Sequence, residues 1–173
     1  IELTTEAKPF LNELTAKLGQ SSHLAILDGN DAVYIDKVEV TKNFRLYSQI
    51  GKRIPVYCSG LGKSLLLDTD NQTILSLLRR CSMEQLTETT LLSPEAVLDE
   101  IKVGRMRGWT VDNEEHDEGI RCIAAPIYDY RGKIIAAISS AGPSSFFTIE
   151  KDEEYSKIVC QTARNISARM GYR

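Results

Sequence analysis

Gly108-Trp109-Thr110-Val111-Asp112-Asn113-Glu114-Glu115-His116-Asp117-Glu118-Gly119-Ile120-Arg121-Cys122-Ile123-Ala124-Ala125-Pro126-Ile127-Tyr128-Asp129 changes character three times in a short distance. Gly108 closes a helical pattern. Asp112 to Glu118 carry five carboxylates and one histidine, more charge than a core accepts. From Ile120 the chain turns apolar and β-branched, with Pro126 shortly before a turn. An acidic loop feeding a buried strand sets polar side chains at the mouth of whatever the sheet encloses. Concave, mostly apolar sites with a few placed polar groups are how small ligands are held.

Upstream of this stretch, Ser93-Pro94 reads as an N-cap followed by proline at the first helical position. Val97, Leu98, Ile101 and Met106 then fit a helix ended by Gly108. Downstream, Tyr130-Arg131-Gly132-Lys133 is a turn, Ile134 to Ala141 a second apolar strand, and Gly142-Pro143 a stop. Thr148 is expected to cap a last helix with Tyr155, Ile158, Val159, Thr162, Ala163, Ile166 and Met170 on one stripe.

The N-terminal third also reads as a helix followed by strands. Leu3, Ala7, Phe10, Leu11, Leu14 and Leu18 recur at helical spacing, with Thr4 or Thr5 as cap, Pro9 admissible only in the first turn, and Gly19 as stop. His23 to Leu27 and Ala32 to Val38 read as strands around the hairpin signal Asp28-Gly29-Asn30-Asp31. Phe44 to Ile50 alternates as a third strand, Gly51-Lys52-Arg53 is a turn, and short helices follow from Gly62 and Asp70. Cys81 to Leu92 is irregular. Strand hairpins, helices between them and a helix at each end predict an α+β domain with a mostly antiparallel sheet.

Composition narrows the function. The chain has 173 residues, enough for one domain with a real core. Its 21 Lys+Arg against 24 Asp+Glu give a net charge of -3, which disfavours a grip on a phosphate backbone. Cys58, Cys81, Cys122 and Cys160 lack metal or redox spacing and read as free thiols of a reducing cytosol. No apolar run approaches a membrane span. The missing initiator Met suggests a piece of a longer protein. No metal or cofactor is expected.

Two stretches could carry chemistry. Ser59-Gly60-Leu61-Gly62-Lys63-Ser64 ends like a phosphate loop, but the glycine needed five residues before Gly62 is Tyr57. A plain glycine turn is one reading of it; a helix start whose free amides attract a small anion is the other. Asp112, His116 and Cys122 offer orienter, base and thiol nucleophile, yet Cys122 lies inside an apolar strand where a thiol is inert. Glu114 to Glu118 read mostly as a solvated loop, Trp109 as core, and Arg121 as facing away from Cys122.

Ser59 to Lys63, Gly108 to Glu115, Gly119 to Pro126, and Ala136-Ala137-Ile138-Ser139 with Gly142-Pro143 together resemble the effector-binding domain of the IclR family of bacterial transcription regulators. The resemblance covers essentially the whole chain. Asn43 to Pro55, with Asp112 to Cys122, is nearest to members that respond to sugar acids and 2-keto acids. It implies a GAF/PAS-like sheet of about six strands flanked by helices, residues 1–173 as a single effector domain, and a separate N-terminal winged helix-turn-helix that alone contacts operator DNA. It also implies a cytoplasmic protein that self-assembles as dimer or tetramer, with no membrane partner.

The family's contacts to a small carboxylate effector fall on the amides of Gly60 and Leu61, on Asp112, Cys122 and Ser139, and on apolar walls at Leu46 and Ile54. Asp112 is expected to accept from ligand hydroxyls. Many members have a second serine two residues after Ser139; here that position is Ala141.

Overall fold

The computed structural model describes residues 2–40 and 49–173. The expected strand from Phe44 and the wall residue Leu46 lie wholly or mostly outside them. Among the described residues, six strands form one antiparallel sheet in the order β3-β2-β1-β6-β5-β4. The strands are β1 (Ser21–Asp28), β2 (Asp31–Val38), β3 (Arg53–Pro55), β4 (Thr110–Asn113), β5 (Ile120–Tyr128) and β6 (Ile134–Pro143). The helices are α1 (Leu3–Leu18), α2 (Gly60–Leu65), α3 (Asn71–Arg79), α4 (Pro94–Arg107) and α5 (Asp152–Arg169). The α+β class expected from the pattern is the class found.

The long central strands β1, β6 and β5 are buried on both faces for most of their length, and β5 and β6 accordingly read as mostly apolar. Successive side chains alternate between the faces. One face carries Leu24, Ile123, Ala125, Ile127, Ala136 and Ile138, which close a core with α1 and α5. The other carries Ala25, Ala32, Tyr34, Ala124 and Ala137 against Leu61 and Leu65 of α2, with α3 and α4 forming a further layer over Val56 to Cys58.

Several local expectations are corrected. The apolar stripe of α1, which the spacing shows without showing what covers it, is buried within this chain: Ala7, Leu11 and Leu14 are fully covered by the sheet and α5. Pro9 lies inside α1 rather than in its first turn, and Glu2 rather than a threonine occupies the N-cap. Gly19 does stop the helix, at φ 66°. Where Gly51-Lys52-Arg53 reads as a turn into Ile54, Arg53–Pro55 pairs with β2 as an edge strand, tied to the hairpin by Arg53 donating to Asp28 and Asp31. Thr148 is the N-cap residue of a short helical turn, Ile149–Lys151, that leads into α5, and its side chain makes no capping bond. Met106 lies on α4 as its spacing predicts, but unlike Val97, Leu98 and Ile101 it is 90% exposed.

Candidate functional site

Asp112 is expected in an acidic loop; it is found on β4, opposite Cys122 of β5. Four residues are too few for alternation to stand out, so β4 is the strand the pattern does not reveal. On the α2 face, Cys122 lies beside Ala141, and Ser139 beside both Ala124 and His23, across successive strand pairs. Small side chains here leave a hollow that α2 does not fill.

Helix α2 starts where it does because the Ser59 hydroxyl accepts from the Gly62 amide at 3.1 Å. The first amides of a helix have no partner in its own ladder, so those of Gly60 and Leu61 remain outside it. The helix is buried from Gly60 through Leu65, not perched at the surface. Glycine is demanded by closeness: a Cβ at Gly60 would lie 2.8 Å from the Cys122 sulfur. Replacing Gly60 with valine therefore disrupts helix-on-sheet packing as well as any ligand contact. Thr110 locks the arrangement by donating to the Gly60 carbonyl at 2.7 Å.

The result is a cavity of about 50 Å³, room for a few waters or a small metabolite. Ile54, Gly60, Leu61, Asp112, Cys122 and Ser139 all line it, as does Ala141 at the position of the absent hydroxyl. Among the described residues, every site residue named from the sequence meets the others here. His23, Tyr34, Ser59, His116, Asp117 and Ile120 complete the lining and were not named as ligand contacts. Only alternation gives a signal for His23, because it shares a face with Ala25. Tyr34 packs on its ring at 5.2 Å.

Burial sets the charges. It pulls the His23 imidazole down to about 4, with Lys37 adding to the effect, so the ring is neutral at pH 7. It pushes Asp112 up to about 7, with the nearby Glu115 reinforcing the shift. It pushes the Cys122 thiol to about 12, Asp112 again adding to it, while the amides of Gly60 and Asp112 facing the sulfur oppose it. A thiol so far from ionising is no nucleophile.

Behind the cavity wall is an ion pair that the sequence reading assigns to solvent. Glu115 is 4% exposed and Lys63 1%. Lys63 Nζ donates to Glu115 Oε1 at 2.6 Å and to the Val111 carbonyl at 3.0 Å. The Glu115 amide in turn donates to Asp112 Oδ1 at 2.7 Å. The irregular segment before α4 braces this loop, Thr87 donating to the Glu114 carbonyl and Thr90 to that of Glu115. Glu114 bends through φ 57°, a left-handed conformation rare for its type. Arg121 does face away from Cys122 and donates to Asp152 at the start of α5, to the Phe147 carbonyl and to Asn113.

The chain matches the family model described as bacterial transcriptional regulator IclR C-terminal over residues 1–168. It is 38% identical over 172 residues to the HTH-type transcriptional regulator KdgR of Escherichia coli, covering 99% of this chain and 65% of that protein. It is 36% identical over 170 residues to the HTH-type transcriptional repressor AllR of the same organism, covering 98% and 63%. The chain thus spans just under two thirds of the length of these relatives. The crystal structure of the E. coli KdgR C-terminal domain superposes with a TM-score of 0.88 at 36% identity, covering 99% of this chain and 100% of that one. These relatives are transcription regulators, not enzymes, which sets aside the thiol-enzyme reading. The chain belongs to the IclR family, as the C-terminal effector-binding domain of a transcriptional regulator.

Proposed function

We propose that this domain senses a small carboxylate metabolite, a sugar acid or a 2-keto acid, in the cavity under α2. The observation that carries the reading is the meeting of the Gly60 and Leu61 amides with Asp112, Ser139 and apolar Ile54 around one small hollow. The carboxylate takes the Leu61 amide and the Gly60 amide, which it shares with the Cys122 sulfur. Ser139 meets the polar remainder of the ligand, since a hydroxyl both donates and accepts. Occupancy then controls operator binding by a separate winged helix-turn-helix domain of the full-length, cytoplasmic, homo-oligomeric protein. The acidic balance of this chain fits a partner role to the DNA reader rather than a DNA-binding one.

Calorimetry on matched sets tests this: pyruvate and gluconate, each as acid, methyl ester and primary amide. A charged group held by helix amides contributes through both dipole and charge-assisted bonds. The ester and amide are expected to bind at least about tenfold more weakly than the acid. Equal affinity across a set removes the carboxylate from the start of α2.

A further inference from the structure

We infer that Asp112 enters the effector complex as a protonated carboxylic acid, a hydrogen-bond donor to the bound anion, so that acid and proton bind together. This rests on the proposed carboxylate reading and reverses the role expected from the sequence, where Asp112 accepts from hydroxyls.

The geometry leads there in three steps. First, Asp112 is 7% exposed and lines the same cavity as the α2 amides. An acid held at the Gly60 and Leu61 amides therefore shares one small hollow with the Asp112 carboxyl. Like charges sharing one site do not both ionise. Second, among the described residues the cations on the flanking elements are engaged elsewhere, and Lys63 only partly offsets burial and Glu115 at Asp112. Lys63, approaching from α2, is held by Glu115 Oε1 at 2.6 Å and the Val111 carbonyl at 3.0 Å. Arg121, next to Cys122, points to the opposite face of the sheet and pairs with Asp152.

Third, among the described residues no lysine or arginine lines the cavity; Lys52, outside the lining, acts on Asp117, and the titratable groups facing the site are otherwise acids, thiols, a phenol and imidazoles. These are Cys122 on β5, Tyr34 on β2, Cys58 before α2, His23 on β1, and Glu115, His116 and Asp117 in the loop after β4. His116 at the rim is turned to Asp117, its Nδ1 2.7 Å from that carboxylate. The amides of Glu115 and His116 favour the charged form of Asp112, but burial and Glu115 outweigh them even before an anion arrives. An acid entering this cavity adds to the same side of the balance. The proton comes from solvent and rests on the Asp112 carboxyl, leaving one O–H to donate toward the ligand. Buried carboxylic acids kept neutral so that they can donate are an established device in protein sites.

The test uses pyruvate and gluconate with the 173-residue chain and its Asp112→Asn variant. Calorimetry at pH 7.5 in buffers of different ionisation heat reads proton uptake directly. A net uptake of up to about three quarters of a proton per acid bound is expected, since free Asp112 near 7 is already partly protonated at pH 7.5, and affinity is expected to weaken by up to about tenfold per pH unit above neutrality. Asp112→Asn keeps a donor and cannot titrate, so it is expected to bind the same acid without proton uptake and with affinity flat from pH 6 to 8.5. Binding of the acid by the wild-type chain with no uptake and no pH dependence overturns this inference and leaves the carboxylate reading standing. Failure of both acids to bind either protein overturns the carboxylate reading and this inference with it.

Discussion

Ile123 and Cys122 are neighbours on β5, yet they stand in different solvents. Ile123 is fully buried among Leu24, Ile138, Phe147 and the helices α1 and α5, in a face built from large apolar side chains. Cys122 looks into a hollow walled by Ala141, Ser139, His23 and Asp112. Small residues on the second face deny it the volume to close, and polar residues deny it the dryness of a core. The first face holds the sheet together; the second leaves room and hydrogen-bonding capacity for a ligand. Interiors are packed densely enough that such a hollow is a feature of the residues lining it, not slack.

The largest effect comes from breaking the support of the second face. Lys63→Met strands Glu115 as an unpaired buried charge and releases the brace between α2 and β4. Loss of one partner of such a pair typically costs about 3–5 kcal/mol. Chemical denaturation is expected to show a loss of that size, and the double variant Lys63→Met/Glu115→Gln to recover much of it. If the single variant loses under about 1 kcal/mol, the pair is solvated and the loop needs no brace.

Truncating the first face separates stability from binding. Ile123→Ala removes a fully buried side chain from the α1–α5 core. Large-to-small changes of this kind cost about 2–5 kcal/mol. Affinity for pyruvate or gluconate is expected to stay within about twofold where the variant remains folded, because the side chain lies across the sheet from the cavity. A tenfold loss of affinity with intact folding would show that the two faces are not independent.

What could be read from the sequence follows the same division. The first face was legible because its signals are periodic. Leu11, Leu14, Ile158 and Ile166 recur at helical spacing, and β5 and β6 are mostly apolar. The stripe on α1 was seen, but not its partner: periodicity shows that a face is buried and not against what. The second face was legible mainly through the family resemblance, which placed Gly60, Asp112, Cys122 and Ser139. Their sequence separation gives no hint that they meet. Glu115 was misread for a physical reason. A carboxylate in a run of five looks solvated, and only the long-range pairing with Lys63, 52 residues away, makes its burial tolerable. Met106 shows the limit of spacing from the other side: it is on the expected helix, but an apolar residue near a helix end fits the period whether or not anything covers it.

The smallest expected effect tests the second face most directly. Ala141 lines the cavity beside Cys122 and is 8% exposed. In a dry core, a new hydroxyl there would lack a partner and cost about 1–3 kcal/mol. In a hollow with room for water, a solvent molecule or a ligand can satisfy it. Ala141→Ser is therefore expected to change stability by under about 1 kcal/mol. It is also expected to tighten gluconate, which offers several hydroxyls, by about threefold to tenfold, the worth of one net hydrogen bond. Pyruvate, with no hydroxyl to offer, is expected to gain less. Denaturation and calorimetry on one variant thus ask which solvent residue 141 sees. A stability loss above about 2 kcal/mol with no gain for gluconate would mean that this wall is packed like the face carrying Ile123, and that the ligand's hydroxyls lie elsewhere in the cavity.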